Sequence, residues 1–307
     1  MQLQKTESIW FNGRLVPWDE ARVHVLSHAL HYASSVFEGI RAYATPKGPA
    51  VVRLRDHVER LLVSARIARL PITHTADELV QAVLTTVRAS GLESCYIRPV
   101  AFRGYGAMGV DPSACPVDVA IAVWPHGAHF GHEKREHGIA LGVSSWRRMA
   151  PDTIPAMAKS AANYLNSQLV ILEAREHGYD DGIALDVAGY VSETSGANLF
   201  VVRHGTLHTP PVVSSILAGI TRDCVLALAR ELGIPAVEER LPREMLFVAD
   251  EVFVTGTAAE VTPVRAVDGV PVGKGSRGPV TARLQQRYLE LATGQAEDVH
   301  GWLTHVR

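Results

Sequence analysis

The stretch PHGAHFGHEKREHG, residues 125–138, divides the chain, because its glycines, proline and charges break both repeats on which regular structure depends. On either side, short runs with alternating apolar residues interleave with longer runs whose apolar residues recur three and four apart. Both halves must therefore build strands and helices. The expected fold class is α/β with α+β character. The expected domains are a small N-terminal one over 1–124, a connecting loop over 125–138 and a large C-terminal one over 139–307. Chains of about 300 residues bury roughly three-quarters of their unfolded surface and often divide in this way.

In the first half, SIWF and RLVPW flank Asn12-Gly13, a favoured two-residue turn pair, and predict a hairpin. VFEGIRAY, AVVRL, CYIRPVAF and VDVAIAVW read as strands. Asp56, with Glu59 three residues on, predicts the N-cap of a helix over 56–69 whose apolar stripe is Val58, Leu61, Leu62 and Ala65. DELVQAVLTTVRAS predicts a second helix stopped by Gly91. In the second half, IALGVSS, IALDV, NLFVV and EVFVTG read as strands. KSAANYLNSQLV, GITRDCVLALARELG and PVTARLQQRYLELAT read as helices.

A formal net charge of -2 gives no electrostatic pull toward nucleic acid or an anionic membrane. No run approaches the about 20 apolar residues of a membrane span, and MQLQKTESIW lacks the apolar core of a secretory signal. Cys95, Cys115 and Cys224 are too few and too scattered for a disulfide framework or a paired-cysteine metal motif. The expected location is the cytoplasm. His126, His129 and His132 recur every third residue, with His137 nearby, but glycines interrupt them and no acidic or cysteine partner has ligand spacing. No metal site is expected. His28 and His31 in SHALHY read as structural.

Four segments carry chemistry in combination. Lys159 stands before the small residues Ser160, Ala161 and Ala162, which leave room for a planar group, and Tyr164 follows five residues on. A lysine amine can form a Schiff base with a carbonyl. In isolation an exposed lysine in a helix's first turn would explain the residue better, although a helix N-terminus is a poor place for a resting cation. Glu193, in SETSGANLF, follows a strand and could hold a ring nitrogen protonated, or could simply be a solvated turn carboxylate. Gly219, Ile220 and Thr221 open a helix whose early N–H groups lack internal partners and can take a phosphate. Gly256, Thr257 and Ala258 could add further N–H groups and a hydroxyl. Arg60 is a candidate cation for the same phosphate, against a plain surface arginine. Tyr96 and Arg98 alternate along one strand and share a face, where they could hold a substrate carboxylate. Together these point to pyridoxal 5′-phosphate.

HALHYASSVFEGIRAY, YIRP, KSAANYLNS, SETSGANLF, SILAGITRD and GTAAEVTPVR, taken together, resemble the bacterial branched-chain amino acid aminotransferases, which are class IV, fold-type IV pyridoxal phosphate enzymes. The similarity runs from FNGRLVPW to the closing GWL. The resemblance implies two domains with the cofactor between them, a Schiff base on Lys159 and Glu193 at the pyridine nitrogen. It puts Tyr164 at the ring oxygen and Leu217 on the ring face. It gives the phosphate to Arg60, Ile220, Thr221 and Thr257. The substrate pocket it implies uses Phe37, Tyr96, Arg98, Thr257, Ala258 and His129, with Tyr32 and Val110 arriving from a neighbouring subunit. The implied assembly is a homodimer at minimum, and hexamers occur in the family.

Two positions depart from the family pattern. His126 and His129 stand where relatives have aromatic residues near the pocket, and KSAANYL replaces a more glycine-rich motif. The expected reaction moves an amino group between L-leucine, L-isoleucine or L-valine and 2-oxoglutarate. The rival readings are a D-amino acid or (R)-amine transaminase, an aminodeoxychorismate lyase, or a non-catalytic phosphate-ligand binding protein.

Overall fold

The structure is a computed structural model that describes residues 3–127 and 131–306. The chain forms two compact units: Met1–Gly127 with Ala158–Ala162 and Leu291–Arg307, and Ala128–Met157 with Asn163–Glu290.

The first unit opens with the expected hairpin, β1 (Ser8–Phe11) and β2 (Arg14–Pro17). Asn12 at φ 45° and Gly13 at φ 98° supply the two left-handed residues its tight turn demands. Next come α1 (His28–Tyr32), β3 (Ser35–Phe37), β4 (Ile40–Tyr43) and β5 (Ala50–Val52). They are followed by α2 (Leu54–Ile67), α3 (Ala76–Ser90), β6 (Cys95–Arg103) and β7 (Val117–Pro125). The sheet is antiparallel throughout, in the order C-terminal strand Leu303–His305, β5, β4, β6, β7, β1, β2, with β3 pairing β6. Ile40, Ile97, Ile121 and Val123 from its strands pack against Leu54, Val58 and Leu61 of α2 and Leu79 and Val83 of α3. This core fixes one face of α2.

The start of α2 corrects the sequence reading. The helix begins at Leu54 behind Arg53, which sits at φ 51°, and Asp56 is no cap. The Asp56 carboxylate instead accepts from Arg53 Nε at 2.7 Å and Nη2 at 2.8 Å. α3 has a complete capping box, Thr75 with Glu78, and ends at Gly91 as expected.

The 125–138 stretch is not irregular throughout. It holds a short helix, α4 (His132–His137), whose HEKREH sequence has no apolar residue to reveal a helical stripe. The second unit continues with β8 (Ile139–Arg147), α5 (Ala161–Glu176, opening in the first unit), β9 (Asp181–Leu185), β10 (Val191–Thr194) and β11 (Asn198–Arg203). After β12 (Thr206–Thr209), α6 (Ile220–Glu231) and β13 (Ala236–Glu238) come β14 (Glu251–Gly256), β15 (Glu260–Val267), β16 (Val270–Pro271) and α7 (Pro279–Ala292). The sheet order is β10-β9-β8-β15-β14-β11-β12-β13, with β16 on β15. Its β9-β8-β15 part is parallel, and Ile139, Leu141, Ile183, Leu185 and Val264 are buried there. Among the described residues, no helix is long and apolar enough to cross a membrane.

Candidate active site

In the first unit, helical spacing places His57, Arg60 and Ser64 along one side of α2. Glu38, just past β3, is wholly buried and accepts from Arg60 Nε at 2.7 Å and Nη2 at 2.9 Å. It also shares a 2.7 Å hydrogen bond with His57 Nδ1. Burial alone would raise the Glu38 carboxyl, but the charges of Arg60 and then His57 outweigh it and hold the group far below the usual carboxylate range. Burial pushes His57 the other way, below its ordinary value, with the Arg60 and Lys159 cations adding to the effect. Arg60 is therefore no surface arginine: its side chain keeps only 14% of its exposure.

Lys159 corrects a second expectation. It lies two residues ahead of α5, which opens at Ala161, and its backbone runs beside β3. The Phe37 N–H donates to the Lys159 carbonyl at 3.0 Å, and the Lys159 N–H donates to Ser64 Oγ at 3.0 Å. Strand-like backbone pairing, not a helix terminus, fixes the amine. Lys159 Nζ stands 5.2 Å from the centre of the Phe37 ring, and the Arg98 guanidinium carbon stands 4.7 Å from the same ring.

Tyr96 and Arg98 share a face of β6, as read from their alternation, while Cys95 and Ile97 point into the core. Across the strand pair Tyr96 faces Trp124, with ring centres 5.1 Å apart, and the His126 ring lies 5.0 Å from Tyr96. Arg98 Nε is buried with no hydrogen-bond acceptor among the described residues. A buried guanidinium donor in an aromatic wall suits a carboxylate from outside the chain. Gly39 completes this wall, since a Cβ there would fall 1.9 Å from the Tyr96 hydroxyl oxygen.

Tyr32 is 42% exposed and Val110 87% exposed. The buried His28 ring packs 4.4 Å from the Tyr32 ring and bonds Gly109 O through Nε2 at 2.8 Å, so α1 and the 109–110 turn form one surface. His28 and His31, which bonds Val25 O at 2.9 Å, are structural as expected. His129 lies outside the described residues.

In the second unit, Glu193 is buried in β10 rather than solvated in a turn. Arg148 Nη2 pairs with its Oε1 at 2.8 Å, while Asn198 Nδ2 at 3.0 Å and the Leu217 N–H at 3.1 Å donate to its Oε2. Asn198 Nδ2 also donates to the Leu217 carbonyl at 2.9 Å, tying the half-buried Leu217 to Glu193. Arg148 in turn donates to Asn166 Oδ1 at 3.1 Å, two residues beyond the half-buried Tyr164 on α5.

Gly219 is the N-cap of α6 and carries no side-chain cap, so the Ile220 and Thr221 end presents bare N–H groups. A Cβ on Gly219 would fall 1.9 Å from Asn198 Oδ1, which makes glycine necessary where this helix meets the Glu193 cluster. Arg222 anchors the same turn by donating to Pro210 O at 3.0 Å and Glu238 Oε2 at 2.6 Å. Thr257 and Ala258 sit in the tight β14–β15 turn, and Gly256 packs about the Gly196–Ala197 turn.

The first unit thus assembles Lys159, Arg60, Phe37, Tyr96 and Arg98. The second assembles Glu193, Leu217, Ile220 and Thr221. Taken unit by unit, an amine and a guanidinium in the first suit an aldehyde and an anion, and a held carboxylate acceptor and an uncapped helix start in the second suit a protonated ring nitrogen and a phosphate. Sequence reasoning missed Glu38, His57, Trp124, Arg148 and Asn198. The His57–Arg60 spacing and the strand register opposite Tyr96 could have found two of them. The rest depend on long-range pairing.

The family model for class IV amino-transferases matches residues 35–267. The chain is 55% identical over 307 residues to the branched-chain-amino-acid aminotransferase of Escherichia coli K12, covering 100% of this chain and 99% of that protein. The crystal structure of the Escherichia coli branched-chain amino acid aminotransferase superposes with a TM-score of 0.97 at 55% identity, covering 99% of this chain and 100% of that one. The branched-chain amino acid aminotransferase of Thermobaculum terrenum, crystallised in its PLP form, gives a TM-score of 0.93 at 35% identity, covering 99% of each chain.

Proposed function

The chain belongs to the class IV aminotransferases, and from that premise we infer that it is a pyridoxal 5′-phosphate transaminase acting on branched-chain amino acids. It exchanges an amino group between L-leucine, L-isoleucine or L-valine and 2-oxoglutarate. When bound, the cofactor supplies an electron sink for the charge left as substrate Cα loses its proton.

Lys159 Nζ would hold the cofactor aldehyde and, once the substrate amine has displaced it, would be the free base within reach of the substrate Cα proton. Its backbone is clamped on both sides, by Phe37 N–H and Ser64 Oγ, so the amine is aimed before substrate arrives. Glu193 keeps the ring nitrogen protonated, and Arg148, Asn198 and Leu217 hold it as an oriented anion. With the cofactor bound, Tyr164 would donate to its ring oxygen and Leu217 would cover its ring, and Arg60, Ile220, Thr221 and Thr257 would hold its phosphate.

The buried Arg98 Nε, without an acceptor among the described residues, carries the substrate reading. With Tyr96 it takes the second carboxylate of glutamate, and Phe37 and Trp124 form a wall for aliphatic chains, with Thr257 and Ala258 as further substrate contacts by the family pattern. His126 beside Tyr96 narrows that wall from one side. The segments carrying Tyr32 and Val110, joined by the His28 bond to Gly109 O, expose Val25 (70%), Leu30 (62%), Tyr105 (58%), Met108 (48%) and Val110 (87%). Such a patch favours a homodimer, with Tyr32 and Val110 completing the partner's pocket. A homohexamer of such dimers would need a second, separate face. The described helices give no span, and the enzyme is cytoplasmic in this reading.

An amino-donor screen tests the assignment. L-leucine, L-isoleucine and L-valine should each shift the long-wavelength absorbance of the yellow holoenzyme and support transfer to 2-oxoglutarate. Preference for D-alanine or a simple amine would reject it.

A further inference from the structure

The first unit buries a charged group for which the transamination steps above have no use. Glu38 is 0% exposed, and each of its oxygens is engaged from α2, by Arg60 Nε on one and by Arg60 Nη2 and His57 Nδ1 on the other. The Gly39 N–H adds a 3.3 Å contact to the second. Burying a carboxylate this completely is costly unless it is paired and hydrogen-bonded on all sides, as here. The arrangement is also directional. Nε and Nη2 form one edge of the planar guanidinium, and that edge is committed to Glu38, so the plane and direction of Arg60 are set by a group on a different element.

We propose that Glu38, braced by His57, is a positioning residue for cofactor phosphate recognition, acting through Arg60. The inference rests on the reading of Arg60 as a phosphate ligand given above. Glu38 joins β3 to α2 beside the Phe37–Lys159 backbone pair, so one buried carboxylate registers the phosphate cation against the amine that holds the aldehyde. The pair also keeps Arg60 from collapsing onto the aromatic wall of Phe37 and Tyr96, where Arg98 already lies. Preorganisation of this kind raises affinity by removing the cost of ordering a long side chain at binding.

The test compares pyridoxal 5′-phosphate with pyridoxal, which lacks the phosphate. Affinities are measured by absorbance on full-length protein freed of cofactor, for wild type, Glu38→Gln, Arg60→Ala and the double variant. Glu38→Gln should weaken binding of the phosphorylated cofactor by about 10- to 100-fold, the range seen for groups that orient metal ligands, and leave pyridoxal binding within about 2-fold. In the Arg60→Ala background the same change should add nothing, because its only route is gone. A purely structural role would weaken both ligands alike and would overturn the proposal. So would unchanged or tighter phosphate-cofactor binding, which would mean that the charge of Arg60 matters and its direction does not. If Arg60→Ala itself leaves the preference for the phosphorylated ligand intact, the phosphate reading of Arg60 fails first, and the proposal with it. Should Glu38→Gln not fold, His57→Gln in the same assay must lower phosphate discrimination by about 3-fold or more, again only where Arg60 is present; no change there overturns the bracing role.

Discussion

Arg148 Nη2 lies 2.8 Å from Glu193 Oε1, with 5% and 8% of the two side chains exposed. Other donors of the arginine are used on Asn166 and the Ser215 carbonyl, and the other carboxylate oxygen on Asn198 and Leu217. The pair is therefore closed within its own unit, and removing either partner strands a buried charge. Arg148→Met should destabilise the protein by about 3–5 kcal/mol in denaturant unfolding. It should also lower kcat, because Glu193 loses both its orientation and its countercharge. A change below about 1 kcal/mol would mean that the carboxylate protonates or rehydrates without cost.

Lys159→Ala should abolish borohydride trapping of the cofactor and lower turnover by at least about 10²–10⁴-fold, the contribution of a positioned proton-transfer group. Mass spectrometry of the reduced protein reads the adduct directly. Trapping that persists at Lys5, Lys47, Lys134 or Lys274 would remove Lys159 from its role.

The elements that surround the site were legible where the signal was local. The Asn12-Gly13 turn, the α3 helix stopped by Gly91 and the shared face of Tyr96 and Arg98 each follow from a few adjacent residues. Asp56 misled because a side chain three residues away, Arg53, competes for the oxygens a cap would use. Lys159 misled because its backbone is claimed by β3, more than 100 residues earlier, before α5 begins. Glu38 stayed silent for the same reason: a single glutamate in VFEGIRAY has no local sign that Arg60 and His57 will close over it. What the chemistry needs most, buried charge pairs between distant segments, is what periodicity cannot report.

The Glu38–His57 pair also sets a pH dependence. Burial lowers the folded His57 below its ordinary 6.5, while the unfolded chain takes up its proton near that value. The unfolded state then binds more protons as pH falls through that range, so stability falls on acidification and rises with pH. Glu38 acts with the same sign at lower pH. Its depressed folded value, set by Arg60 and His57 against burial, gives stability that is present above the ordinary 4.5 and lost as pH drops toward the folded value. Urea midpoints measured from pH 7.5 to pH 5 should therefore decline, and His57→Gln should flatten that decline. An unchanged slope in the variant would assign the effect to other groups.

Val110 is 87% exposed yet apolar, and it shares a surface with Tyr32 through the His28–Gly109 bond. Val110→Asp should leave the fold of each protomer intact, because so exposed a side chain has little internal packing to lose. It should weaken association, seen as a smaller mass in sedimentation at low protein concentration, and activity should fall with it. An intact oligomer with full activity would place the interface elsewhere.

Gly39→Ala tests the substrate wall without touching a polar group. The new methyl would fall 1.9 Å from the Tyr96 hydroxyl oxygen and 2.8 Å from its ring carbon, so the phenol must move. It cannot simply swing aside, because Trp124 and His126 flank its ring at 5.1 and 5.0 Å. Overpacking of this kind costs about 1–3 kcal/mol, and here part of that cost falls on the geometry of Tyr96 beside Arg98. If those two residues take the second carboxylate of glutamate, KM for 2-oxoglutarate should rise by about 10-fold or more, while KM for L-leucine, which offers no such carboxylate, changes less. Half-reaction kinetics with each substrate separate the two effects. Equal losses for both would show that Tyr96 shapes the pocket without binding the carboxylate.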